Sequence, residues 1–206
     1  MSDRPGDHPP PHAELGRRQP LLYVLKEGAV IFRLHRRVHE AVFFGKTGNN
    51  RFDAPDCPSG SYGVMYAGED PHCCFIESCG QTTGAPAVSG AYLEGRYLAE
   101  LELTRAVTFI DLAESGGLSH LGADARLLTG SYKIAQQWSA ALRKHPVKPD
   151  GIRYRSRRDP GRVAYAIYEC PRSTFKVTNR GSLMNPANRK LLNELLDLYK
   201  VDLIDV

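Results

Sequence analysis

Short apolar runs, several rich in β-branched and aromatic residues and one with the two-residue period of a strand, recur along the chain between breaks rich in glycine, proline and asparagine. Ala29-Val30-Ile31-Phe32-Arg33-Leu34 is β-branched and aromatic, which predicts a buried strand interrupted by one arginine. Tyr62 to Ala67 predicts a second strand, the alternating stretch Tyr97 to Leu103 a third, and Val107 to Ile110 a fourth. Gly151 to Tyr154 and Val163 to Tyr168 predict a strand pair around the polar loop Ser156 to Gly161, and Leu203-Ile204 suits a further edge strand.

Helical spacing appears in three places. Asp70-Pro71 has an N-capping carboxylate followed by a proline at the first helical position, so a short helix is expected through Cys79 with Gly80 ending it. Leu112 to His145 is helical in character, with Ile134, Trp138, Ala141 and Leu142 on one face and Pro146 and Pro149 as stops. Asn185-Pro186 starts a last helix expected to bury Leu191, Leu192, Leu195 and Leu198. Phe43 to Ser61 reads as loop and Gln81 to Gly90 as a flexible insertion. Strands cluster and helices do not alternate with them, so the fold class is α+β, a mixed or antiparallel β core with flanking helices.

Residues 1–20 carry few apolar anchors and are expected to form a disordered tail, leaving 21–206 as one catalytic domain. No run of about 18 apolar residues could span a bilayer and no secretory leader is visible, so the expected location is the cytoplasm. The five cysteines, Cys57, Cys73, Cys74, Cys79 and Cys170, read as reduced thiols. His72 beside three of them invites a metal, but no second ligand pair has zinc-like spacing, so no metal is expected. A net charge of +4, spread over the chain, does not favour a nucleic-acid partner.

Four polar side chains stand in apolar surroundings: Arg33 in a strand, Arg51 at the end of a glycine-rich loop, Tyr66 at a strand end and Glu77 on the short helix. Burying a charge without a partner costs several kcal/mol, so these groups are expected to meet one another or a ligand. Taken singly, Arg33 and Glu77 also suit a structural ion pair, Tyr66 a core residue with a wet tip, and Arg51 a surface charge. The residue types fit cleavage of a nicotinamide–ribose bond. A carboxylate steadies the sugar cation, arginine forks bind pyrophosphate, and an aromatic face stacks on the leaving ring. No GxGxxG follows a strand, so a dinucleotide would not be held in the Rossmann manner. Ser156 has neither a nucleophile elbow nor a His–Asp partner pattern.

In order, Ile31-Phe32-Arg33, Asn50-Arg51-Phe52, Gly63-Val64-Met65-Tyr66-Ala67 and Cys74-Phe75-Ile76-Glu77 resemble the signature region of the RES domain family. Asp150-Gly151-Ile152-Arg153-Tyr154-Arg155-Ser156 resembles its later serine-bearing motif, and the likeness runs from Phe32 to Glu169, with Tyr132 and Gln136 on the long helix. The resemblance implies a fold similar to ADP-ribosyltransferase toxins and a toxin that degrades NAD+ as a glycohydrolase or phosphorylase, with NAD+ as substrate and no cofactor required. It makes Arg33, Tyr66 and Glu77 the catalytic positions and places Arg51, with its neighbours Asn50 and Phe52, and Ser156 around the same substrate. It also implies an Xre-type antitoxin as partner; the assembly expected is a toxin–antitoxin complex or a homo-oligomer. Two alternatives stay open: ADP-ribose transfer to a macromolecule, and a basic RNA-targeting toxin in which Arg33, His35, Arg36, Arg37 and His39 contact phosphates, although His35 and His39 are more simply surface residues.

Overall fold

A computed structural model describes residues 6–55, 61–80 and 86–204. In chain order the elements are β1 (Leu22–Leu25), β2 (Val30–Arg36), β3 (Val64–Gly68), α1 (Pro71–Cys79), β4 (Ala87–Ser89), α2 (Gly90–Glu94), β5 (Arg96–Leu103) and β6 (Val107–Asp111). They continue with α3 (Gly117–His120), α4 (Arg126–Thr129), α5 (Tyr132–Arg143), β7 (Gly151–Arg155), β8 (Val163–Tyr168), β9 (Phe175–Ser182), α6 (Arg189–Tyr199) and β10 (Asp202–Ile204). The fold is α+β. Eight strands form one mixed sheet in the order β1-β6-β7-β8-β3-β2-β5-β9, in which only β6 and β7 run parallel, and β10 and β4 form a separate parallel pair.

Chain connectivity forces this sheet to curl. β5 and β6 lie five strand spacings apart in the order, roughly 24 Å if the sheet were flat. Only Thr104 to Ala106 connect them, four Cα steps that reach at most about 14 Å. The curl brings Ile31, Leu101 and Leu103 against Phe109, Tyr165 and Ile167 in one buried cluster. On the outer face, α5 seats Ile134, Ala135, Trp138 and Leu142 against Ile152, Ala164 and Ala166. A third cluster joins Cys74, Phe75 and Cys79 of α1 to Leu192 and Leu195 of α6.

Most of the expected elements are present, with some corrections. The long helical stretch is broken into α3, α4 and α5, because Gly116 and Gly122 adopt positive φ and Gly130 ends α4. β9 was not expected: its side chains are mostly exposed, so it lacks an apolar signature, and β5 holds it at the sheet edge. The last helix begins with a 3₁₀ turn at Pro186, and Leu198 is 53% exposed instead of buried. Of the expected insertion, Ala87 to Gly90 are ordered in β4 and the start of α2, while residues 81–85 lie outside the described residues. Cys57 also lies outside them.

The described part of the expected tail, from Gly6, is packed down. His8 and Leu15 are buried, Trp138 Nε1 donates to the Pro9 carbonyl at 2.9 Å, and His8 Nε2 accepts from Asp124 N–H at 3.2 Å. Histidine and proline, read as solvated residues, wrap the indole edge. Among the described residues, no helix is long and apolar enough to cross a membrane, and no cluster of three or more His, Cys, Asp or Glu is arranged to hold a metal ion. Cys73, Cys74, Cys79 and Cys170 are free thiols.

β6 and β7 are joined by an ion pair between the buried Asp111 and the half-buried Arg153. Arg153 Nη1 donates to both carboxylate oxygens of Asp111 at 2.8 Å, and its guanidinium lies 4.2 Å from the centre of the Tyr23 ring on β1. Asp111→Ala leaves the half-buried arginine without its carboxylate, and an equilibrium denaturant titration is expected to show a loss of about 1–3 kcal/mol. A loss below about 1 kcal/mol would show that solvent reaches the pair.

Candidate active site

The site begins with a strand pairing that stops early. β2 is paired to β5 at seven positions, Val30 to Arg36, and β3 to β8 at all five of its own. Between β2 and β3 there is one rung, Phe32 opposite Gly68. Beyond it the strands part, with Arg33 to Arg36 on one lip of a cavity of about 490 Å³ and Val64, Tyr66 and Ala67 on the other. The loop after β2 closes the far end, where Gly45 and Val64 exchange both main-chain hydrogen bonds at 3.0 Å. Glu69 N–H and Gly63 C=O bond toward β8, so ladder alternation turns the main-chain N–H and C=O of Tyr66 into the gap.

α1 delivers the acid. Asp70 Oδ1 accepts from Cys73 N–H at 2.7 Å as the N-cap, as the sequence predicts. Gly68 lets the helix come close: a Cβ there would lie 2.8 Å from Cys73 Cβ and 3.0 Å from Cys74 Sγ. Glu77 is half-buried on the cavity wall, and Ser156 Oγ donates to its Oε1 at 2.5 Å. The same Oγ accepts from the N–H groups of Arg158 and Asp159, both at 3.1 Å, so the only proton of Ser156 is directed at the carboxylate. Ser156 is buried behind Glu77 and does not line the cavity as expected.

Among the described residues, seven arginines line the cavity (residues 33, 36, 51, 96, 155, 157 and 158), and Glu77 is the single carboxylate. Arg33 is not paired with Glu77. Its Nη1 donates to the carbonyls of Ala41 at 2.7 Å and Phe43 at 2.9 Å, and burial pushes its pKa down to about 10. Arg51 is buried instead of lying on the surface. Its Nη1 donates to Gly130 O at 3.0 Å and Leu127 O at 3.3 Å, its guanidinium lies 4.5 Å from the Tyr132 ring centre, and its buried Nη2 has no hydrogen-bond partner. Burial lowers its pKa too. Two desolvated cations held by neutral carbonyls leave the cavity strongly favourable to an anion.

Tyr66 is anchored at its tip. Its hydroxyl donates to Asp53 Oδ1 at 3.0 Å and accepts from Phe52 N–H at 2.9 Å. Burial first, and then the Asp53 charge, raise its pKa well above the ordinary tyrosine value. Asp53 is fully buried and also accepts from Asn50 N–H at 3.1 Å and Asn50 Nδ2 at 3.2 Å. Sequence reasoning missed Asp53, although a carboxylate flanked by Phe52 and Ala54 in a loop of glycine and asparagine was a usable signal. Gln136 of α5 fixes the same loop through Gly48 O at 2.8 Å and Asn50 O at 3.0 Å. Asn50 lines the cavity, but Phe52 does not: it is fully buried in the core, edge-on to Tyr154 at 5.0 Å. His35, expected at the surface, is buried, and its Nδ1 faces the carbonyls of Arg36 and His39 at 3.1 Å. Burial lowers its pKa.

The RES domain profile matches residues 30–183, a span that contains every residue of this site. The chain belongs to the RES domain family. Probable toxin y4kH of Sinorhizobium fredii (strain NBRC 101917 / NGR234) is 26% identical over 121 residues, covering 59% of this chain and 93% of that protein. A chain in the crystal structure of the M. tuberculosis MbcT–MbcA toxin–antitoxin complex is 14% identical with a TM-score of 0.55, covering 84% of this chain and 91% of that one, a likeness of fold. In this RES domain, Arg33, Asn50, Arg51, Tyr66 and Glu77 face one cavity, while Ser156 and Asp53 brace it from behind.

The buried phenols carry a pH dependence. Burial raises Tyr66, Tyr154 and Tyr168, so the folded state keeps protons that the unfolded chain releases near pH 10. Stability is therefore complete below about pH 10 and falls as pH rises above it. Arg33, with its lowered value, acts in the opposite sense above about pH 10, so the informative measurement is a difference. The denaturant midpoint of Tyr66→Phe is expected to fall less than that of the unaltered protein from about pH 9 to about pH 11. Parallel curves would show that the Tyr66 hydroxyl is not desolvated.

Proposed function

We propose that the cavity binds NAD+ and breaks the bond between nicotinamide and ribose, and that the protein is the toxin of a toxin–antitoxin pair. The observation that carries this reading is the braced carboxylate, Glu77, the one acid among the described residues of a cavity with seven arginines in its wall, at the gap between two parted strands. The arginines suit the pyrophosphate, and a cavity of about 490 Å³ suits a ligand of dinucleotide class. The Tyr66 ring offers a face to the nicotinamide, and its main-chain N–H and C=O, turned into the gap, match the acceptor and donor of a carboxamide. Its hydroxyl is spent on Asp53 and so does not act as an acid.

Chemistry asks little more. As the bond from C1′ to the ring nitrogen breaks, its electron pair leaves with the nitrogen. The pyridinium becomes neutral nicotinamide, and positive charge spreads over C1′ and the ring oxygen. Glu77 stabilises that charge, and Ser156 keeps the carboxylate in place by taking only Oε1. Water then adds at C1′ and gives up a proton to solvent, or phosphate adds there as its dianion. A macromolecular acceptor would make the protein an ADP-ribosyltransferase through the same first step. Burial of His35 leaves the exposed His39 as the histidine at the cavity that the RNA-targeting alternative would have to use.

Relatives named as a probable toxin and as part of a toxin–antitoxin complex support the biological role, with an Xre-type antitoxin as the expected partner. Incubation with NAD+ and chromatography for free nicotinamide is expected to show turnover. Glu77→Gln should lower kcat by roughly 10²–10³-fold. Full turnover in Glu77→Gln would remove the carboxylate from the mechanism, and absence of nicotinamide from the unaltered protein would remove NAD+.

A further inference from the structure

We propose that Tyr132 is the platform on which the second base of the dinucleotide stacks, the adenine ring remote from the bond that breaks. This rests on reading the cavity as a dinucleotide site and adds the subsite that separates a dinucleotide from a mononucleotide. Tyr132 is the first residue of α5 and lines the same cavity as Glu77. One ring face is taken by the Arg51 guanidinium, 4.5 Å from the ring centre, yet the residue remains 39% exposed. Ile134, Ala135 and Trp138 of the same helix enter the core, whereas Tyr132 joins no apolar cluster. Leu128, partly buried, lines the same cavity and adds an apolar edge.

An aromatic ring that only covered Arg51 would use one face and bury the other. Here a ring with Arg51 on one face stands at a cationic cavity and stays 39% exposed, the arrangement on which a base stacks. The exposed Arg157 also lines the cavity and is close enough to bear on the Arg51 charge, so cations stand near the ring where the phosphates attached to such a base would run. Tyr154 differs, because its ring is buried in the core beneath the cavity, and the Tyr66 hydroxyl is already held by Asp53 beside the scissile end.

The test is direct binding of ADP-ribose and of ribose 5-phosphate to the full chain by calorimetry, which needs no turnover. Tyr132→Leu keeps apolar bulk over Arg51 and removes the π face. It is expected to weaken ADP-ribose roughly tenfold or more while leaving ribose 5-phosphate unchanged, and Tyr132→Phe is expected to restore ADP-ribose binding. Equal weakening of both ligands would assign the effect to Arg51 and overturn the platform, as would unchanged ADP-ribose affinity or none in the unaltered protein. If the Tyr132→Leu pattern is seen in a protein that releases no nicotinamide, the platform stands and the cleavage reading fails. If NAD+ is cleaved and the variant binds ADP-ribose normally, the reverse holds.

Discussion

A single missing stretch of strand pairing governs this molecule. β2 and β3 are each fully paired on their outer sides and meet each other at one rung, so the sheet has an opening in its middle instead of at an edge. Such an opening exposes main-chain donors and acceptors that elsewhere find partners within the sheet. It is tolerable because the loop after β2 replaces the missing strand at Val64 and because a polar ligand can fill the remainder. The three-residue link between β5 and β6 demands the curl, and β5 on one side of the gap and β8 on the other are both tied into that curled sheet.

Around the opening, polar groups are held from behind. Asp53 holds the hydroxyl of Tyr66 and the main chain of Asn50, Ser156 holds Glu77, and Gln136 holds the loop between Gly48 and Asn50. Each is a buried group whose partners are satisfied, which is how a cavity keeps its geometry before a ligand arrives. The arginines are treated differently. Arg33 and Arg51 receive neutral carbonyls, so their charges are fixed in place without being cancelled. The structure supports its acid and tyrosine and leaves its cations wanting an anion.

Much of this was legible in the residues. Asp70-Pro71 and Gly80 bracket α1 as written, because capping is a local interaction. Arg33 and Glu77 stand out because charge in an apolar run is costly and demands a reason. Phe52 was assigned to the ligand because it adjoins Arg51, but alternate residues of an irregular loop point to different sides, and only coordinates show that Phe52 enters the core. Asp53, β9 and the packed segment around His8 were hidden for one common reason. Their order comes from partners far along the chain, Tyr66, β5 and Trp138 respectively, and no local pattern announces such contacts.

The central claim is that the gap between β2 and β3 is where a dinucleotide sits with its scissile bond beside Glu77. Its most direct test is a crystal structure of the Glu77→Gln protein soaked with intact NAD+. The account predicts nicotinamide between the parted strands against Tyr66, with the carboxamide on its main-chain groups and the ribose next to position 77. Density for the dinucleotide elsewhere on the molecule, or nicotinamide outside the gap, would contradict it.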